Sequence, residues 1–272
     1  MPTDSGGPGP GAASPGPGDF ERSAQAADFV FVGTVRRAVA SDVAAIPASD
    51  ATAVVAVEEV LHAPDALTGF AGQEVTVRLA APGSVTEGQR ATFFTTVLSF
   101  ADTLGLAELE HQPADQEVSA LAGRVTDARA SAAEQRMQDQ VNRADVIVSG
   151  RVTDVRPAPA ESVLASGTET PVSEHDPQWM QAVVAVDSVV KGQQPAGETV
   201  VLFPSSMDVA WARAPKLQVG HEGVYLLHRQ APTPELAPAL RAGGPPVYIA
   251  LDPLDVQPSD EIDHVRQLSA GS

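Results

Sequence analysis

The 272-residue sequence contains no cysteine, which excludes disulfide bonds, thiolate catalysis and cysteine-ligated zinc or iron–sulfur centres. Aromatic residues make up only 4% of the chain, and no apolar stretch approaches the ~18 residues that a membrane-spanning helix needs. Near the N-terminus no basic start is followed by the apolar stretch of about 7–15 residues that marks a secretory signal. We therefore expect a soluble protein without membrane insertion, cytoplasmic as the sequence stands and extracytoplasmic if a leader has been removed.

Basic residues are also scarce, since 17 Lys and Arg stand against 35 Asp and Glu, a net charge of −18. The acidic excess occurs in both halves, with 12 acids and 5 bases in residues 20–113 and 16 acids and 8 bases in residues 144–272. Nucleic-acid binding draws its affinity from basic residues that neutralise phosphates, and stacking on single strands needs aromatic rings. We therefore expect neither nucleic acid nor an anionic membrane surface as a partner.

The sequence contains an internal repeat. An Ala-Asp pair, a short apolar stretch and Gly-x-Val at 27–35 recur at 144–152. Three further blocks recur in the same order: 53–60 at 182–189, 88–94 at 220–226, and 112–115 at 257–260. The offset grows from 117 to 129, 132 and 145 along the chain, which places the insertions of the second copy mainly at 157–178 and 232–246. We interpret these insertions as longer surface loops, where functional residues concentrate.

The repeated blocks predict β-strands, five in each copy. The first strand of each copy contains one glycine, Gly33 or Gly150, which indicates a bulge or sharp bend of the kind found in barrels. Residues 74–79 alternate strictly between polar and apolar, so we expect one face of that strand to be buried and the other exposed.

Helices are predicted at the edges of the copies, at 21–27 and at 137–143. Asp115 is a candidate cap for a helix with Val118, Leu121 and Val125 on one stripe; the weaker periodicity towards residue 141 leaves one helix or two as alternatives. A C-terminal helix is expected to open at Ser259 or Asp260 and to bury residues 262 and 265.

Short bent strands with flanking helices favour a small OB-type Greek-key barrel over a seven-stranded sandwich. The predicted fold class is mainly β with flanking helices, as two tandem five-stranded OB-like Greek-key barrels. The expected organisation is a disordered Gly/Pro-rich tail at 1–19, a first module at 20–113, a connecting helical segment at 114–143, and a second module at 144–272 with longer loops and a C-terminal helix.

The repeated motifs resemble bacterial modules of the netrin and tissue-inhibitor-of-metalloproteinase-like group. The resemblance rests on Ala-Asp, an apolar strand, Gly-x-Val, and a Val-rich strand ending in Glu-Glu-Val-Leu at 58–61 or Asp-Ser-Val-Val-Lys-Gly at 187–192. It covers nearly all of 20–113 and 144–229, and it implies an OB-like barrel used for protein binding, often outside the cytoplasm. The animal inhibitors chelate the zinc of their targets through an N-terminal cysteine, which this chain lacks. No inhibitory mechanism and no functional residue of the family therefore carries over.

Histidines are the obvious candidates for catalysis or metal binding. His221 and His228 are seven residues apart on one predicted strand, so they would face opposite sides, and Tyr225 stands where a His-Glu-x-x-His motif needs its second histidine. The remaining four are expected near turns or at exposed helix positions: His62, His111, His175 and His264. We expect no catalytic histidine, no metal ligand and no cofactor.

An acidic cluster near the C-terminus is a possible calcium site: Asp252, Asp255, Asp260, Glu261 and Asp263. It lacks the regular Asp-x-Asp-x-Asp-Gly spacing, and helix capping already accounts for residues 260 and 261. A weak calcium site at 252–263 stays an alternative.

Both tryptophans lie in the second copy, Trp179 beside its longest insertion and Trp211 in the predicted loop 204–215. Large aromatic residues on loops are frequent anchors of protein interfaces, so we predict both as partner-binding residues. The alternative is that they plug the barrel ends. The predicted function is a non-enzymatic module that binds another protein or takes a place in an assembly. The alternative function is an enzyme or metal-dependent hydrolase with its site between the two modules.

Overall fold

A computed structural model describes residues 19–100, 103–158, 177–193, 197–206, 208, 211–229 and 247–271. The chain divides into two compact units, Met1–Ala133 and Glu134–Ser272. Each unit contains one closed β-barrel with five strands, which confirms the predicted fold class. The tail predicted at 1–19 lies outside the described residues except for Asp19, the first residue of a helix.

The first unit opens with a helix and continues with five strands: α1 Asp19–Ala26, β1 Phe29–Ala38, β2 Thr52–His62, β3 Glu74–Arg78, β4 Arg90–Phe100 and β5 Leu104–Pro113. A 3-10 helix, Asp65–Phe70, links β2 to β3. The strand order is β1-β2-β3-β5-β4, and pairing of β1 with β4 closes the barrel. Strands β3 and β5 run parallel, and the other neighbours are antiparallel. This arrangement is consistent with an OB-like module.

The second unit repeats this order: β6 Val146–Pro157, β7 Gln178–Lys191, β8 Glu198–Ser205, β9 Glu222–Arg229, β10 Val247–Ile249, β11 Val256–Pro258 and a C-terminal helix α3 Ile262–Ala270. Strand β10 pairs in parallel with β8 and antiparallel with β9, which closes the barrel. Strand β11 then extends the ladder along β9. Strands β10 and β11 together therefore take the place of the single strand β5, interrupted by the 3-10 turn Pro253–Asp255.

Strand register in the two barrels agrees with the sequence repeat. Thr92 pairs with Gln112 in the first barrel, and Val224 pairs with Gln257 in the second. The same two blocks of sequence therefore meet in the same register in both copies, although the offset between the copies differs by 13 residues between the blocks.

Helix α2, Val118–Arg143, is a single helix of 26 residues, which settles the choice between one helix and two. Its first half buries Leu121 and Val125 against the outer face of the first barrel, and Val141 belongs to the outer core of the second unit. Helix α3 buries Val265 in that same outer core, as predicted. No helix among the described residues is both long enough and apolar enough to cross a bilayer.

The predicted opening of α3 is wrong by a few residues. Residues Ser259–Glu261 form a 3-10 turn, and α3 begins at Ile262. The N-cap residue Glu261 makes no side-chain capping bond. Helix capping therefore does not explain the acidic residues 260 and 261, which lie in the 3-10 turn before the helix.

Strand β3 departs from the predicted alternation, because Thr76 is as fully buried as its neighbours Val75 and Val77. The Oγ1 atom of Thr76 accepts a hydrogen bond of 2.9 Å from the main-chain N–H of Asp42. The loop between β1 and β2 therefore covers the face of β3 that the alternation predicts to be exposed to solvent.

Candidate functional site

The two tryptophans converge at one end of the second barrel. Their ring centroids lie 6.0 Å apart at an interplanar angle of 65°, an edge-to-face arrangement. Both side chains are partly exposed, and the interior core of the barrel contains neither of them. Trp179 is the second residue of β7 and directly follows the insertion predicted at 157–178; Trp211 lies in a turn between β8 and β9, as predicted.

Trp179 is positioned by an extension of the ladder between β7 and β8. In the first barrel the equivalent ladder ends where Thr52 pairs with Arg78. In the second barrel it continues for three more pairs: Gln181 with Leu202 is followed by Met180 with Phe203, Trp179 with Pro204 and Gln178 with Ser205. This extension carries the first tryptophan beyond the point at which the first barrel ends.

Trp211 is held by main-chain and lysine contacts. The N–H of Ala214, a buried residue, donates to the carbonyl oxygen of Trp211 at 3.1 Å. The Lys216 ammonium donates to the carbonyl oxygens of Trp211 at 3.0 Å and Pro204 at 2.7 Å. Lys216 therefore connects the turn that carries Trp211 to the strand residue that pairs with Trp179.

An open cleft of about 440 Å³ lies at this end of the barrel. Its apolar lining comes from strand residues and one loop residue: Val155, Met180, Phe203 and Leu217. Its polar lining comes from Ser205, Ser206, Lys216 and Gln218. The cleft thus combines an apolar floor with a polar rim, the composition of sites that bind peptides or small molecules.

Among the described residues that line the cleft, Lys216 is the one that carries a charge. Burial lowers the pKa of its ammonium, because part of its surrounding water is displaced. Lys216 therefore places one positive charge at the cleft, in a chain whose net charge is −18.

A second polar cluster joins His228, Asp255 and Gln140. Asp255 is 1% exposed, and its Oδ1 atom lies 3.0 Å from Nε2 of His228 and also accepts a hydrogen bond from the Gln140 amide. Its Oδ2 atom accepts the main-chain N–H groups of Leu251 at 2.7 Å and Asp252 at 2.8 Å. The hydrogen bond to Asp255 raises the pKa of His228, and the backbone of Arg143 also hydrogen-bonds the histidine ring.

This cluster fastens the interrupted last strand of the second barrel. Asp255 and Asp252 form a capping box around the 3-10 turn between β10 and β11. The histidine comes from β9 and the glutamine from α2, so the carboxylate connects three elements of the unit. Because carboxylate and backbone partners already occupy the ring, we interpret His228 as a structural residue rather than a general base.

A related pair lies in the first barrel, where Nδ1 of His111 lies 2.5 Å from the carboxylate of Glu108. The other oxygen of Glu108 accepts the main-chain N–H of Ala80 at 3.1 Å. The hydrogen bond to Glu108 raises the pKa of His111. His111 lies in strand β5 and is partly buried, so its predicted place near a turn or on an exposed helix is wrong.

The remaining histidines that the structure describes lie in three different environments. His62 ends β2, and burial lowers its pKa. His264 lies in α3 between the carboxylates of Glu134 and Glu261, which raise its pKa. His221 precedes β9, and its carbonyl oxygen accepts the hydroxyl of Tyr225. His175 lies outside the described residues.

The predicted acidic cluster separates into different environments. Asp255 and Asp252 serve the capping box, whereas Asp263 is paired with Arg266 at 3.1 Å on the surface of α3. Within the described residues, no three His, Asp or Glu side chains are grouped as a metal site.

Sequence reasoning missed the partnership of His228 with Asp255, and it missed Gln140 altogether. The three residues are separated by 27 and 88 positions in the chain, so no local motif connects them. The single available signal was Asp252 followed by Pro253, which is typical of an N-cap with proline at the first position.

No known protein-family model matches the sequence, and none of the curated proteins is significantly similar to it.

Proposed function

We propose that this chain is a non-enzymatic tandem-barrel protein that binds another protein through the end of its second barrel. The observation that carries the proposal is the convergence of Trp179 and Trp211, 6.0 Å apart, beside a cleft of about 440 Å³. Tryptophan is enriched among the residues that dominate interface energies, and such residues cluster beside pockets. Neither ring belongs to the core cluster of the second barrel, and both side chains are partly exposed.

The comparison between the two barrels supports this assignment. The three extra pairs of the β7–β8 ladder and the turn bearing Trp211 distinguish the second barrel from the first. The shared positions of the repeat are mainly apolar or glycine and describe a common framework. A specific contact surface is therefore expected among the features that only one copy carries.

The OB-like architecture agrees with the resemblance to netrin and tissue-inhibitor-of-metalloproteinase-like modules, and we extend the proposal to that kind of protein-binding role. The histidine–carboxylate pairs favour a non-enzymatic protein, because both carboxylates also bind main-chain N–H groups and thereby hold local structure.

Affinity capture from a native extract tests the proposal with three baits: the wild-type chain, Trp211→Ala and Leu109→Ala. Leu109 is an exposed apolar residue of the first barrel and serves as the matched surface control. We expect a protein that the wild type and Leu109→Ala retain and Trp211→Ala loses. Retention of the same proteins by all three baits would contradict the proposal.

A stability measurement separates a contact role from a plugging role. Each tryptophan is partly exposed and the edge-to-face pair itself is worth about 0.5–1.5 kcal/mol, so Trp211→Ala should lower the free energy of unfolding by a similar amount. A loss of about 3–5 kcal/mol, typical of a core tryptophan, would favour the plug.

A further inference from the structure

The floor of the cleft is the outer end of the core of the second barrel. Phe203 and Leu217 belong to the interior core cluster, and Val155 and Met180 pack against that cluster. All four residues also line the cleft. The mouths of β-barrels are frequent sites for ligands, and such sites have volumes of about 300–1,000 Å³. An apolar side chain that enters the cleft therefore extends the core of the barrel.

Lys216 places a cation directly beside this floor. It immediately precedes Leu217 in the chain, and its ammonium donates to the carbonyl oxygen of Pro204 at 2.7 Å. A second N–H donates to the carbonyl oxygen of Trp211 at 3.0 Å, so one of the three N–H donors remains. Among the described residues no carboxylate forms an ion pair with this ammonium, and burial alone lowers its pKa. A ligand that carries a carboxylate would complement the positive charge.

Hydroxyl and amide groups complete the polar side of the cleft. Ser205, Ser206 and Gln218 line it together with Lys216. The Oγ atom of Ser206 accepts the main-chain N–H of Asp208 at 3.1 Å, and this acceptance leaves the hydroxyl proton for a further hydrogen bond. An ionised carboxylate is a pure acceptor with room for several hydrogen bonds, so these donors suit it.

The strands beside the cleft offer no edge to an added strand. Met180 pairs with Phe203 on β8 and with Pro157 on β6, so β7 is paired on both sides here. On β8, Pro204 has no N–H, and Lys216 already binds its carbonyl oxygen. A peptide therefore cannot lie across the cleft by strand addition, and it must enter through its end or through side chains.

The first barrel lacks the cation. Lys216 stands four residues before the glycine that opens the third repeated block, and the first copy has Ser84 at that place. The residues that follow, Leu217 and Val85, are both buried in the cores of their barrels, which confirms the alignment. The combination of an apolar floor and a lysine is therefore specific to the copy with the longer loops.

We propose that the cleft binds the C-terminus of a partner protein, with the terminal carboxylate against the Lys216 ammonium and an apolar last side chain on the floor. This inference rests on the proposed function and names the part of the partner that is recognised. A C-terminal residue carries its carboxylate and its side chain on one Cα, which matches a cation that adjoins an apolar floor. An internal Asp or Glu carries a carboxylate in place of the apolar side chain and cannot supply both groups. A terminal carboxylate also adds a single negative charge, so a chain of net charge −18 repels it less than an acidic segment.

Fluorescence anisotropy of labelled peptides tests the inference on the full chain. The probes are a neutral hexapeptide that ends in leucine with a free carboxylate, the same peptide with a C-terminal amide, and a free-carboxylate peptide that ends in serine. Each carries a neutral fluorophore at its N-terminus, away from the recognised end. We expect saturable binding of the first peptide and about tenfold weaker binding of each of the others, which corresponds to about 1.4 kcal/mol.

Lysine variants identify the charge that is recognised. Lys216→Met should remove the tenfold preference for the free carboxylate over the amide, and Lys216→Arg should retain most of it. Lys191→Met is the matched control, because Lys191 also donates to two main-chain carbonyls, those of Val141 and Asn142, outside the cleft. Thermal unfolding of each variant confirms that the barrel is folded, and the Arg variant covers the case in which the Met variant is not.

Four results would overturn the inference: no saturation with the free-carboxylate leucine peptide, equal affinity for its amide, equal affinity for the serine peptide, or a carboxylate preference that survives Lys216→Met in a folded chain. Saturable binding of decanoate without binding of any peptide would also overturn it and would assign the cleft to a small amphiphile.

Capture of a natural partner separates this inference from the proposed function. If Trp211→Ala abolishes capture while the leucine peptide fails to bind, the inference falls and the proposed function stands. If the peptide fails to bind and capture is also insensitive to Trp211→Ala, both fall.

Discussion

Nε2 of His228 lies 3.0 Å from Oδ1 of Asp255, a carboxylate that is 1% exposed and also binds the main-chain N–H groups of Leu251 and Asp252. The last strand of the second barrel is interrupted between β10 and β11. The Asp255 carboxylate bonds the main chain at this interruption to His228 on β9. Glu108 in the first barrel has comparable partners, a histidine and the main-chain N–H of Ala80. Both barrels thus use a buried carboxylate to hold a loop beside a strand.

Asp255→Ala should destabilise the second unit by about 3 kcal/mol, because two main-chain N–H groups, Gln140 and His228 lose their shared partner inside the protein. Chemical denaturation measures the effect. The matched control is Asp263→Ala, which removes an exposed carboxylate paired with Arg266 on α3 and should change the unfolding free energy by less than about 0.5 kcal/mol. Equal effects of the two substitutions would show that the cluster does not fasten the strand.

The same pair gives stability a dependence on pH. The hydrogen bond to Asp255 raises the pKa of His228 above its ordinary 6.5, and the charges of Asp255 and Asp145 act in the same direction. The fold therefore favours the protonated ring, so this stabilisation is complete below about pH 6.5 and is lost as the pH rises through the folded-state pKa. Thermal unfolding of wild type and His228→Asn should differ most at about pH 6 and converge towards about pH 9. A difference that grows with pH would contradict the assignment.

The pKa of His111 in the first barrel is raised as well, so His111→Asn should show the same dependence of stability on pH.

Thr92 provides a test of the alignment between the barrels. Its Oγ1 atom is buried without a hydrogen-bond partner, and Val224 takes the equivalent place on β9. Thr92→Val should therefore stabilise the first unit by about 1 kcal/mol, since an unpaired hydroxyl gives way to a methyl group of similar size. The control is Thr95→Val, which removes a hydroxyl that donates to the carbonyl oxygen of Phe29 at 2.8 Å and should destabilise by about 1–2 kcal/mol. Denaturation midpoints that move in the same direction for both variants would refute the comparison.

Gly150 is required by the close approach of β6 to β7. A Cβ atom there would lie 2.2 Å from the carbonyl oxygen of Ala185, and the equivalent atom at Gly33 would lie 2.7 Å from that of Ala56. Gly150→Ala should cost about 1–3 kcal/mol, because main-chain atoms must shift. Gly123→Ala on the exposed face of α2 meets nothing within 4 Å and should instead stabilise by about 1 kcal/mol. Changes of the same sign in the unfolding free energies of the two variants, relative to wild type, would contradict this explanation.

The sequence predicted the structure correctly where a feature depends on the local sequence of a single strand. Gly33, Gly150 and the Val-rich strands predict the barrels correctly because a closed sheet needs apolar alternation and a bend at a fixed place in each copy. Local reasoning failed where distant residues meet. Carboxylates are usually exposed, so the sequence did not indicate that Asp255 is buried. Its partners, His228 and Gln140, come from β9 and α2.

Of the candidate surface, the sequence predicted the two residues but not the contact between them. Two tryptophans near the insertions of the second copy suggested a contact surface, but their mutual contact depends on the longer β7–β8 ladder and on a turn held by Lys216. The two tryptophans are 32 positions apart in the sequence, and no repeated motif marks their contact.

Hydrogen–deuterium exchange on the full chain, with and without a captured partner, tests the central claim most directly. Partner binding at the tryptophan end of the second barrel predicts new protection in 177–181 and 211–218, with unchanged exchange at 108–111 in the first barrel. Protection confined to the first barrel, or unchanged exchange around Trp179 and Trp211 at saturating partner, would contradict the account.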